Sequence, residues 1–63
     1  MSAHEQIRAA YARAVIAHET AARAAYRAEV VGGRGVGLAK AREARAWARL
    51  CAARTAFART VTP

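Results

Sequence analysis

The chain is poor in cysteine, proline and negative charge, and it has no long apolar run. Its single cysteine, Cys51, excludes an internal disulfide. With only His4 and His18 beside it, Cys51 offers none of the close Cys/His pair spacing of structural zinc sites, so no metal and no cofactor are expected. The carboxylates are Glu5, Glu19, Glu29 and Glu43. Glu5 belongs to a helix cap and Glu19 can pair with Arg23, which leaves no convincing acid/base couple. Cys51 has no sequence-near histidine to activate it. The sequence therefore predicts a protein that is not an enzyme. No stretch approaches the roughly 18 apolar residues of a membrane span. The opening "MSAHEQIRAAYARA" also lacks a basic stretch followed by an apolar core and cleavage site. The expectation is a soluble protein of the cytoplasm, or part of a virion or assembly made there.

What is present is alanine, about a third of the positions, with arginine next. Both are strong helix formers. Ser2 and Glu5 form an S-x-x-E capping box, which starts helix 1 at Ala3. Nothing interrupts the helical pattern until "VVGGRGVGLAKAR", Val30 to Arg42, where Gly32 and Gly33 can take the left-handed conformation that closes a helix. Helix 2 is predicted from about 38 to 60, before a β-branched "TVT" tail and Pro63. The predicted architecture is all-α: one antiparallel two-helix hairpin, with helix 1 over about 3–31, a glycine-rich turn over 32–37 and helix 2 over about 38–60.

At 100° per residue, helix 1 gathers Ile7, Ala10, Tyr11, Ala14, Val15, Ala17, His18, Ala21, Ala22, Ala25 and Ala28 on one broad face. Helix 2 gathers Ala39, Ala46, Trp47, Leu50, Ala53, Phe57 and Val61, with Arg42, Arg45, Arg49 and Arg59 turned away. Ala39, Ala46 and Ala53 recur every seventh residue, as do Leu50 and Phe57, so small side chains let the backbones approach closely. Tyr11-Ala12-Arg13, Trp47-Ala48-Arg49 and Phe57-Ala58-Arg59 repeat one phrase, aromatic inward and arginine outward. A lone alanine seam buries little, and Tyr11, Tyr26, Trp47, Leu50 and Phe57 exceed what one two-helix seam can cover. The expected remedy is a homodimer forming a four-helix bundle, or docking on a larger protein assembly. The expected contact residues are Ile7, Tyr11, Ala14, Ala17, His18, Ala21, Ala46, Trp47, Leu50, Ala53 and Phe57.

The balance of eleven basic against four acidic residues gives +7, a charge suited to a polyanion or an acidic protein surface. A GC-rich genome yields the same excess of alanine and arginine. Arg23, Arg27, Arg34, Lys40, Arg42 and Arg45 fall at the loop end and form the expected polyanion site. Helix 2 starts without a Ser, Thr, Asp or Asn cap, so Gly35 and Gly37 could present free amides to an anion beside Arg34 and Lys40. Gly35-Val36-Gly37-Leu38-Ala39-Lys40-Ala41 resembles the hairpin segment of helix-hairpin-helix DNA-binding modules. That resemblance covers seven residues and implies phosphate contact by Gly35, Gly37 and Lys40. Just before it, the hydrophobic pair and proline-like residue of that family are replaced by Gly33 and Arg34. In length and layout the chain is similar to the small plasmid RNA-binding dimers of the Rop type, without a shared motif. Two functions are expected: a nucleic-acid-binding module for DNA or RNA that contacts phosphates through arginines, or a structural or adaptor subunit of a phage or bacterial assembly. Binding at a membrane surface is weaker, because an alanine face inserts poorly.

Overall fold

A computed structural model of the chain describes residues 2–61. It is all-helical, with α1 over Ala3–Val31 and α2 over Gly35–Val61 packed against each other as an antiparallel hairpin. The molecule is a rod of 48 × 18 × 12 Å, as long as one α-helix of this length requires.

Serine opens α1 as expected. The Ser2 hydroxyl accepts from the Glu5 amide at 3.1 Å, and the Ser2 carbonyl accepts from the Gln6 amide at 3.0 Å. The capping box is half formed: among the described residues, no bond returns from the Ser2 amide to the Glu5 carboxylate. The other end of α1 closes through the Gly32 amide, which donates to the Ala28 carbonyl at 2.7 Å. Gly32 has φ 80° and ψ −179°, and Gly33 has φ 96°. Gly32 thus shares the positive φ of the expected left-handed cap but has extended ψ, a combination open to glycine almost alone.

The turn is shorter than the sequence suggests. It comprises Gly32, Gly33 and Arg34, and α2 begins at Gly35 rather than near Leu38. Gly35 and Gly37 lie in the first turn of that helix, so the turn does not extend to residue 37. The physical reason is that two positive-φ residues suffice to reverse the chain, and glycine can take helical φ/ψ without steric cost, giving up only backbone entropy of about 1 kcal/mol per residue. α2 also continues to Val61, one residue past the expected end. The remaining tail residues Thr62 and Pro63 lie outside the described residues.

The broad inward faces are placed as the periodicity predicts, but they are shallow. Ala25, 4% exposed, is the one fully buried side chain among the described residues. Ile7, Tyr11, Ala14, His18, Ala21, Ala46, Leu50, Ala53 and Phe57 are half-buried. Ala17 and Trp47, expected in the seam, are exposed, with Trp47 at 49%. Val61, also assigned to the inward stripe, is exposed at the far end of α2. A two-helix contact can enclose a residue on the line of closest approach, whereas residues to either side keep one face open.

Candidate interaction surface

The seam has two chemically unlike flanks. On one flank the helices leave an open groove in two sections, of about 320 and about 400 Å³. Ala10, Arg13, Ala14, Ala17, Ala46, Arg49 and Ala53 line the first section. Ala17, Thr20, Ala21, Ala24, Ala39 and Arg42 line the second. Ala17 belongs to both, so the groove is continuous. Alanines every three or four residues on α1, and every seven on α2, leave methyl groups too short to fill the space beside the seam. No carboxylate lines either section.

The other flank is closed by larger side chains. Tyr11 meets Phe57 with ring centroids 5.2 Å apart and planes at 46°. His18 meets Trp47 at 5.3 Å and 54°. Both are tilted pairs at separations where aromatic rings attract. His18, placed by the sequence on the inward face of helix 1, packs against the Trp47 ring, and among the described residues its ring nitrogens have no hydrogen-bond partner. A shallow cleft of about 360 Å³ lies on this flank, lined by His18, Lys40, Glu43, Ala44 and Trp47.

Near the turn the helices are joined by charge. The Lys40 ammonium donates to the Glu29 carboxylate at 2.9 Å, from α2 to α1. That hydrogen bond, and secondarily the attraction of the two charges, holds the Lys40 ammonium above its ordinary value of 10.5. Arg23 lies 3.7 Å from Glu19 one turn earlier on α1, the pair expected from their spacing. Cys51, half-buried, accepts at its carbonyl from the Thr55 hydroxyl at 3.0 Å.

The six loop-end cations therefore do not form one set. Lys40 is engaged by Glu29 and Arg23 by Glu19. Arg27, Arg34, Arg42 and Arg45 are exposed and make no ion pair among the described residues. Helical geometry turns Arg27 to the outer side of α1 and Arg45 to the outer side of α2, opposite edges of the rod, while Arg42 lines the groove. Gly35 and Gly37 sit in the first turn of α2, and an added Cβ at either would meet nothing within 4 Å. That turn carries no acidic side chain. The segment likened to a helix-hairpin-helix loop is thus helical from its first residue.

Sequence reasoning missed the separation of the two flanks and the Lys40–Glu29 bond. The flanks had a signal: His18 and Ala17 differ by 100° on the wheel and were merged in one broad face. The cross-helix bond had none, because its register depends on the length of the turn. No protein-family model, no curated protein and no solved structure matches the chain.

Proposed function

We propose that the chain is a non-enzymatic adaptor subunit: half of a helical bundle, completed by helices supplied from outside. The observation that carries this reading is surface area. The chain exposes 4812 Å², whereas a globular monomer of 6.7 kDa would expose about 3,900 Å². The excess, about 900 Å², is close to the area one partner contributes to a standard protein interface. The open alanine groove is where such area would be covered. Self-association into a four-helix bundle is the form this takes when the missing helices come from a second copy.

A second reading, phosphate binding by arginine to DNA or RNA, is favoured by one observation. Arg27, Arg34, Arg42 and Arg45 are exposed without an ion pair among the described residues, on a chain of net charge +7. Their distribution over two edges and the groove suits diffuse attraction more than a defined site. The first turn of α2 around Gly35 and Gly37 belongs to this reading as the place for a bound phosphate.

Purification of the native chain with and without nuclease separates the readings. The adaptor reading expects a stoichiometric protein partner, or a second copy, that survives nuclease. Loss of all bound material on nuclease treatment would contradict it and favour the phosphate-binding reading.

A further inference from the structure

We propose that the groove receives an acidic amphipathic helix from a different chain, rather than a second copy of this one or a nucleic acid. This rests on the adaptor reading and names the partner of its surface. The floor is alanine, and helical spacing sets two larger apolar groups beyond it, towards the turn. Val31 follows Ala24 by seven residues and Leu38 precedes Arg42 by four, which sets both on the groove side, 85% and 54% exposed. A floor of methyl groups flanked by larger apolar side chains fits a helix with an apolar stripe at i, i+3, i+4 and i+7. From Ala10 to Ala24 it runs about 20 Å, four turns of helix.

The rim decides which helix. Arg13, Arg42 and Arg49 line the groove and no carboxylate does. Elsewhere Glu29 is engaged by Lys40 and Glu19 by Arg23, while Glu43 lines the opposite cleft. Two copies packed groove to groove would set those three arginines against the same three, with no acidic group from either side to offset the repulsion. A helix with glutamates flanking its apolar stripe meets each guanidinium with a carboxylate, and Arg binds carboxylate through two parallel bonds. A nucleic acid would satisfy the arginines but present charged phosphates to the methyl floor, leaving the apolar area uncovered.

The test uses the full chain and two synthetic helical peptides of about 20 residues. Both carry the same Ala/Leu stripe, one flanked by Glu and the other by Lys. Binding is read by anisotropy of labelled peptide, and its position by NMR shifts of the alanine methyls. The Glu peptide is expected to bind at least about tenfold more tightly than the Lys peptide and to shift Ala14, Ala17 and Ala21 rather than the Tyr11–Phe57 flank. Arg42→Glu with Arg49→Glu should reverse that preference. Ala17→Gln, at an exposed position, should weaken binding about tenfold while the helical circular dichroism stays unchanged.

Equal binding of both peptides, no binding of either, or shifts confined to the other flank would overturn the proposal. So would a single-stranded oligonucleotide that shifts the same methyls and displaces the Glu peptide. A disulfide formed at high yield between copies of an Ala17→Cys variant that also carries Cys51→Ala would overturn it in favour of self-association, while the adaptor reading stands. A well-protected monomer at every concentration that binds neither peptide would remove both.

Discussion

On one flank of the seam rings meet rings and a lysine reaches a glutamate; on the other, alanine methyls face an open groove rimmed by arginine. The same two helices build both, from residues one position apart in sequence. His18 packs on Trp47, while Ala17 beside it lines the groove. The difference teaches that the cross-helix ring contacts, Tyr11 on Phe57 and His18 on a still half-exposed Trp47, gather on one side. The other side keeps surface that its own atoms cannot cover. Under the adaptor reading proposed above, stability and interaction fall on opposite flanks, and substitutions can be chosen to disturb one without the other.

The largest effect is expected on the closed flank. Phe57→Ala removes a half-buried ring and its contact with Tyr11, and should cost about 2–3 kcal/mol, enough to remove most of the helical circular dichroism of so marginal a chain. A loss below about 0.5 kcal/mol would mean that the ring pair holds nothing. The next comparison sets the line of closest approach against the groove. Ala25→Leu overpacks the one buried position among the described residues and should cost about 1–3 kcal/mol. Ala17→Leu points into open space and should stay within about 0.5 kcal/mol. Equal costs would erase the distinction between seam and groove.

The two glycine pairs sharpen the comparison at the turn. Gly33→Ala forces a Cβ onto φ 96° and should destabilise by about 1–2 kcal/mol. Gly37→Ala, helical and unobstructed, should stabilise by about 0.5–1 kcal/mol in the same thermal melt. If Gly37→Ala instead destabilises, α2 does not begin at Gly35. The smallest effect belongs to Lys40→Gln, which removes an exposed cross-helix ion pair. The folded-state value of Lys40 is raised, so its contribution is fully present below the ordinary 10.5 and fades as pH rises through the raised value. Wild type and variant should differ slightly at pH 8 and converge in strong alkali; a constant difference across that range would show that the charge is not responsible.

Much of this architecture was legible in the sequence for local reasons. Alanine and arginine specify helix, Ser2 marks a start, and Gly32 marks a stop that side-chain-bearing residues resist. Arg59 is exposed and Phe57 half-buried as the periodicity requires, but Arg13 and Arg49 border the groove rather than facing away from it, and Trp47 stays exposed. The start of α2 was harder to read, because a glycine cluster looks like loop although a first helical turn tolerates it. Pairings that cross the seam were not legible. Glu29 finds Lys40 only because a three-residue turn fixes the register, and a helical wheel carries no information about the facing helix. The candidate surface was legible as an alanine stripe, but its arginine rim required knowing which outward residues border the groove.

The account's central claim, that the hairpin alone is an unfinished bundle, is tested most directly by amide hydrogen exchange of the dilute, isolated chain. The account predicts weak protection throughout both helices, with opening free energies no greater than about 3 kcal/mol even at Ala25 and Leu50. Protection of those amides in the range of about 5–15 kcal/mol typical of stable domains, unchanged by dilution, would contradict it.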